Sequence, residues 1–159
     1  MSSLSCCFNQ KEFPMLKVRK AILEDYSAWL TLWKGYLHFY GQNLDDAVTL
    51  STWQRIQSPE SALMCWLAEF DGKVTGFVVC VIHEGTWFTQ PVCYLEDLFV
   101  EENARGVGAG KALITRVCDE AREAGWAKVY WVTNENNPAR KLYDKLAQVD
   151  DVVRYNIRF

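Results

Sequence analysis

Tyr94-Leu-Glu-Asp-Leu-Phe-Val100 runs directly into Glu101-Glu-Asn-Ala-Arg105-Gly-Val-Gly108-Ala-Gly110-Lys111. An apolar strand meets a glycine-rich turn, and the turn opens a helix whose apolar residues Leu113, Ile114, Val117, Cys118, Ala121 and Ala124 recur at helical spacing up to the stop at Gly125. Free N–H groups at a helix start converge on an anion, and glycines let it come close to the backbone. A pyrophosphate is the expected guest. The dinucleotide fingerprint G-x-G-x-x-G does not fit Gly106-Val-Gly108-Ala-Gly110 in register. The Walker form fails too, because Ala112 stands where Lys111 needs a following Ser or Thr. A turn shaped by glycine for geometry alone is the plain alternative.

Outward from this turn, the pattern predicts one domain. A short strand is expected over 16–21, an amphipathic helix over 24–40 ended by Gly41, and a weaker helix over 45–55 stopped before Pro59. Two apolar runs, 63–70 and 74–82, flank Asp71-Gly72, a strong hairpin signal. Strands over 92–100 and 129–133, a helix over 138–146 with Pro138 near its first turn, and a final strand over 152–159 complete the order. The expectation is an α+β fold, a mixed and mostly antiparallel central sheet flanked by helices, spanning 15–159. Residues 1–14 read as an irregular leader without a secretory pattern, and Cys6 and Cys7 within it as exposed.

Composition narrows the function. The 159 residues are 50% apolar, with 7 Trp, 7 Tyr and 8 Phe, enough for a core. Seventeen Lys and Arg against twenty Asp and Glu leave −3, a poor basis for binding nucleic acid. No run approaches the ~18 apolar residues of a membrane-spanning helix. There is no CxxC and only His38 and His83, so no metal site is expected. Cys65, Cys80, Cys93 and Cys118 fall in apolar patterns and read as free thiols in a reducing, cytoplasmic setting.

Arg105-Gly-Val-Gly108-Ala-Gly110 resembles the R/Q-x-x-G-x-G/A signature of the GNAT superfamily, the GCN5-related N-acetyltransferases. Asn136-Asn-Pro-Ala139-Arg-Lys-Leu-Tyr143 is similar to that family's N-x-x-A-x-x-x-Y stretch, with Asn136, Ala139 and Tyr143 in register. The strand 94–100 resembles the polyamine acetyltransferases, and Ala28-Trp29, Leu32-Trp33-Lys34 and Val129-Tyr-Trp-Val-Thr133 the fungal histone and D-amino-acid N-acetyltransferases. The resemblance implies an acyl-CoA N-acyltransferase fold that uses acetyl-CoA and is commonly a homodimer, with 152–159 as a plausible exchange element. It implies that Leu98, Phe99 and Val100 hold the pantetheine arm by backbone groups, and that Arg105, Gly106, Val107, Gly108, Ala109, Gly110 and Lys111 hold the pyrophosphate. Asn136 and Ala139 join this coenzyme set. One departure stands out: Leu146-Ala-Gln-Val149 replaces the Gly-Phe that follows the Tyr helix in most members.

Acetyl transfer to an amine also needs an acid, a base and an acceptor pocket. Tyr143, a phenol protonated at neutral pH, is the candidate acid, although it also continues the apolar stripe of its helix. Glu96 is the candidate base and Asp97 the partner of the substrate cation. Strand parity sends these two to opposite faces, so both line one pocket only if the strand bulges or splays. Trp33, Tyr36, His38, Tyr40, Trp87 and the Asp45-Asp46 pair are the substrate-side candidates, aromatic faces suiting a cation. The leading expectation is an N-acetyltransferase acting on a small primary amine or a lysine side chain. A non-catalytic acyl-CoA-binding module and a nucleotide-phosphate binder are the alternatives.

Overall fold

A computed structural model describes residues 15–159; the expected leader, with Cys6 and Cys7, lies outside the described residues. Five strands form one sheet in sequence order: β1 (Leu16–Lys20), β2 (Leu63–Phe70), β3 (Lys73–His83), β4 (Val92–Val100) and β5 (Lys128–Tyr130). All neighbours are antiparallel except β4 and β5. Four helices flank the sheet: α1 (Tyr26–Phe39), α2 (Asp46–Gln57), α3 (Ala109–Ala124) and α4 (Arg140–Leu146). Among the described residues no helix is long and apolar enough to cross a membrane. The α+β expectation holds. The turn between β2 and β3 places both Asp71 and Gly72 at positive φ, as a two-residue hairpin demands.

The sheet carries a core on each face. On one, α3 packs Leu113, Ile114 and Val117 over Trp66, Val78, Cys80, Cys93 and Leu95. On the other, α1 and α2 bring Trp29, Trp33 and Trp53 against Phe77 and Val79. Trp29 and Trp33 stack with ring centroids 5.2 Å apart. Buried Asp25 ties the start of α1 to the sheet: Arg19 on β1 grips both its carboxylate oxygens, at 2.7 and 2.8 Å, and reaches Glu69 on β2 as well. Arg19 holds the Asp25 carboxyl below its ordinary range, against the opposing pull of burial.

One irregularity organises the rest. Opposite β3, Val79 faces Asp97 and Cys80 faces Leu95, so Glu96 is an extra residue with no partner. This β-bulge is the one that strand parity called for. Leu95 and Leu98 therefore both turn toward α3, while Asp97 and Phe99 turn toward α1. The parallel ladder between β4 and β5 ends at Tyr94 and Tyr130, immediately before the bulge. Beyond that point the two strands part, and β4 keeps an unpaired edge along Leu98–Val100. This is also why β5 is shorter than the sequence pattern suggests.

The strand expected over 152–159 does not form; these residues are exposed and carry no regular structure. Alternating apolar residues are stable as a strand only beside a partner, and β5, the edge strand, is paired over three residues only. The helix expected from 138 begins at Arg140, after a turn in which Asn137 Oδ1 accepts from the Ala139 N–H at 2.9 Å.

Gly76 lies where β3 runs closest to the end of β4. A Cβ there would sit 2.9 Å from the Phe99 carbonyl oxygen and 3.1 Å from Val100 Cγ2. Gly76→Ala is expected to cost about 1–3 kcal/mol. The check is a thermal unfolding midpoint lowered by several degrees.

Candidate functional site

The parted strands open a cavity of about 820 Å³. Its walls are the free edge of β4, the glycine turn with the first turn of α3, the segment leading into α4, and α4 itself. Of the expected coenzyme residues, Leu98, Phe99, Val100, Arg105, Gly106 and Gly108 line it. Ala109, Gly110, Lys111, Ala139 and Tyr143 do so as well. Val107 and Asn136 are exposed and stand outside the lining. Gly106 and Gly108 hold φ of 88° and 87°, and nothing lies within 4 Å of where a Cβ would sit on either. The turn thus needs glycine for its backbone, and its open side leaves room for a ligand. The first N–H groups of α3 have no acceptor inside the helix and point out of its start. Arg105 is braced by its Nε, which donates to the Val100 carbonyl at 3.2 Å.

Asn137, one place after the residue that sequence register favoured, is the asparagine on the cavity wall. Its amide donates to Thr133 Oγ1 at 2.8 Å and reaches the Tyr40 hydroxyl at 3.4 Å. The signal for it was present: an Asn directly before a Pro at a helix start is a capping pattern. Lys141 and Lys145 on α4 also line the cavity and were not anticipated. With Arg105 and Lys111 they give it a cationic rim.

The bulge sets the electrostatics beside the cavity, whose lining does not include Glu96, Asp97 or Tyr36. Asp97 is largely buried below α1. Burial raises its carboxyl to about 6, with the nearby Glu96 charge adding to the shift and a hydrogen bond from Tyr36 opposing it. Glu96, at the crest of the bulge, is exposed. Burial, then the Asp97 charge, pushes the Tyr36 phenol far above its ordinary range. Tyr36 and Tyr40 pack at 4.9 Å between centroids. Tyr143 is held edge-on to Trp131 and is raised to about 12 by burial and by the neighbouring Tyr40, so it keeps its proton at any physiological pH.

Other substrate-side candidates fall elsewhere. Trp33 is only 5% exposed, stacked between Trp29 and Tyr36 with its indole N–H donating to Thr49, so it offers no face to a substrate. That expectation is corrected: α1 turns Trp33 into the core, one helical turn before Tyr36. Trp87 is 91% exposed in the loop before β4. Asp45 caps α2, accepting from the Ala47 N–H at 2.9 Å. His38 and Asp46 are exposed.

Residues 21–147 match the model of the acetyltransferase (GNAT) family. The chain belongs to that family. It is 38% identical over 136 residues to the D-amino-acid N-acetyltransferase HPA3 of Saccharomyces cerevisiae, covering 83% of this chain and 84% of that one. It is 30% identical to the uncharacterized N-acetyltransferase YhfO of Bacillus subtilis, covering 86% of this chain and 91% of that one. Among solved structures, it is similar to a ribosomal-protein-alanine N-acetyltransferase from Brucella melitensis biovar Abortus 2308. That likeness has a TM-score of 0.72 and 25% identity, and covers 91% of this chain and all of the other. AAC(6')-Iy, solved with a bisubstrate CoA analogue, shares the fold with a TM-score of 0.75 at 24% identity, over 91% of this chain and 99% of its own. The chain is accordingly an N-acetyltransferase of a family whose enzymes use acetyl-CoA.

The cavity fits that coenzyme on its own residues. A glycine cradle open where side chains would block it, unsatisfied N–H groups at the start of α3 and the cationic rim suit phosphates. Leu98, Phe99 and Leu142 suit an apolar arm.

Asp97 ties the site to stability. Its folded value lies above the ordinary 3.8, so the protonated form is the one the fold favours. That stability is fully present below about pH 4 and is lost as pH rises through 6. Asp97→Asn should therefore be more stable than the parent at pH 8, by up to roughly 3 kcal/mol, with the gap closing toward pH 4. Chemical denaturation across that range checks the sign.

Proposed function

We propose that the protein transfers the acetyl group of acetyl-CoA to the primary amine of a small acceptor by direct attack on the thioester, with Asp97 as the proton acceptor and Tyr143 as the acid. The observation that supports this reading is the cavity along the free edge of β4, lined by Leu98–Val100, the glycine turn, Tyr40 and Tyr143, with Asp97 next to Leu98 on the bulged strand. Bound in the cavity, acetyl-CoA supplies an activated acyl group. The chain supplies the rest. Leu98, Phe99 and Val100 lie along the unpaired edge of β4, where a backbone N–H can donate to the thioester oxygen as charge develops on it. Asp97 is poised near neutrality, the best range for taking a proton from an ammonium. Glu96 is more exposed, so its part is to add negative potential at the acceptor entrance rather than to be the base. Tyr143 donates to the departing sulfur. Tyr36 and Tyr40 present ring and hydroxyl to the amine, and Trp87 covers it from the loop.

We further propose a homodimer in the cytoplasm. Buried free Cys65, Cys80 and Cys93 suit a reducing compartment. Val153, Tyr155, Ile157 and Phe159 are exposed along the C-terminal segment, apolar side chains that a second copy would cover. Sedimentation should give a dimer, and a chain ending at Asp151 a monomer.

Tyr143→Phe should lower kcat by about 10²-fold or more while leaving acetyl-CoA affinity little changed. Asp97→Asn should remove the limb near pH 6 from the kcat/KM profile. Release of free CoA thiol with the best amine reads both. Unchanged turnover in Tyr143→Phe would remove that residue from the chemistry.

A further inference from the structure

The parting of β4 and β5 leaves the two sides of the cavity without a sheet bond between them. α1 belongs to the β4 side. Gly35 lets it press on that strand, since a Cβ there would stand 3.0 Å from Phe99 Cζ. α4 follows β5 and carries Tyr143. The end of α1 reaches across the gap. Phe39 and Tyr40 both line the cavity, as do Asn137, Pro138 and Ala139 on the approach to α4. Phe39 meets the glycine turn, with the Arg105 guanidinium 6.0 Å from its ring centroid. Tyr40 meets Asn137.

The Asn137 side chain is fixed at both ends. Oδ1 accepts from the Ala139 N–H at 2.9 Å, and a backbone N–H only donates, so the other end of the amide is its NH2 group. That group donates to Thr133 Oγ1 at 2.8 Å and to the Tyr40 hydroxyl oxygen at 3.4 Å, which uses both of its hydrogens. Burial raises the Tyr40 phenol; Asn137 acts against that rise, and Thr133 acts the same way. Two side chains after β5 therefore serve one phenol on α1. The Tyr40 oxygen accepts from Asn137, and among the described residues the Tyr40 hydrogen has no acceptor, so it stays free to donate into the cavity. Asn137 thus joins three pieces of chain that the sheet leaves apart: the segment after β5 through Thr133, the start of α4 through Ala139, and the end of α1 through Tyr40.

Resting on the acetyl-transfer reading, we propose that Asn137 is a positioning residue: by holding the Tyr40 hydroxyl from the start of α4, it fixes the acceptor wall on α1 against the helix that carries Tyr143. Acyl transfer depends on the distance between the attacking amine and the thioester, and a misplacement of about 1 Å can cost on the order of 10²-fold in rate. The two walls stand on opposite sides of the interruption in the sheet, so side chains must set their spacing. Capping of the turn before α4 uses Oδ1 alone and does not account for the two donated bonds.

Asn137→Ser separates the two parts, because serine keeps an oxygen for the Ala139 N–H and is too short to reach Tyr40. Thiol release across an amine series first finds an acceptor for the full-length protein. With that amine, Asn137→Ser should lower kcat about tenfold, the scale of one hydrogen bond, with its KM little changed. Acetyl-CoA affinity by calorimetry and the thermal unfolding midpoint should stay close to the parent. Tyr40→Phe should lower kcat as well, and adding Asn137→Ser to it should cost less than about twofold more. The hydroxyl-bearing ring carbon of Tyr40, followed by NMR, should titrate at higher pH in Asn137→Ser than in the parent, a readout that needs no turnover. An unchanged kcat, losses that multiply in the double variant, or an unmoved Tyr40 midpoint overturns the proposal and leaves acetyl transfer standing. A loss confined to acetyl-CoA affinity overturns it too, and makes Asn137 a coenzyme ligand. A parent protein that binds acetyl-CoA and acetylates no amine overturns the acetyl-transfer reading and the positioning role together.

Discussion

One residue without a partner, Glu96, governs how this protein is put together. Without that bulge, Leu95 and Leu98 would face opposite sides of the sheet, and the core under α3 would lose one of them. With it, β4 changes direction, the ladder to β5 stops at Tyr94, and the strand edge at Leu98–Val100 is left without a sheet neighbour. An unpaired edge inside a sheet is ordinarily a liability. Here it borders a cavity whose other wall is a helix start rich in free N–H groups, so the unmet hydrogen bonds of both face the same space. The fold thus has a binding cleft because its hydrogen-bond ladder is interrupted at one place.

The same bend fixes the electrostatics. Asp97 turns under α1, where burial raises its carboxyl and the neighbouring Tyr36 phenol opposes that rise. That arrangement opposes stability near neutral pH and is tolerated because the surrounding structure is stiff: a tryptophan cluster beneath α1 and the Arg19 grip on Asp25 and Glu69 hold the helix against the sheet. Asp25 and Asp97 make a useful contrast. Both are carboxyls in low-water settings near α1, yet Asp25 has a guanidinium and falls below its ordinary range, whereas Asp97 has a phenol and rises above it. Only the second is placed to exchange a proton in the range where cells operate.

Much of this was legible in the residues. Helical spacing, the Asp71-Gly72 turn and the glycine-rich helix start are local signals, and they gave the element order and the glycine-turn side of the cavity. The conflict between Glu96 and Asp97 was visible as a violation of period two, and the bulge is its resolution. What sequence could not supply was depth and partnership. Trp33 and Tyr36 lie on one helical stripe, and only packing against Phe77 decides that the first is core and the second reaches a carboxyl. The choice of Asn137 over Asn136 depends on which way the turn before α4 faces. The alternation in 152–159 reads as a strand, but a strand needs an edge to join, and β5 stops too soon to offer one.

The claim at the centre of this account is that the Glu96 bulge turns Asp97 into a water-poor setting beneath α1, beside the cavity along β4. A carboxyl-carbon NMR titration of selectively labelled protein, with Asp97 assigned through Asp97→Asn, measures this directly. The account predicts an Asp97 midpoint at about 6. A midpoint at or below the ordinary 3.8 would mean that Asp97 is hydrated or cation-paired, and would contradict it.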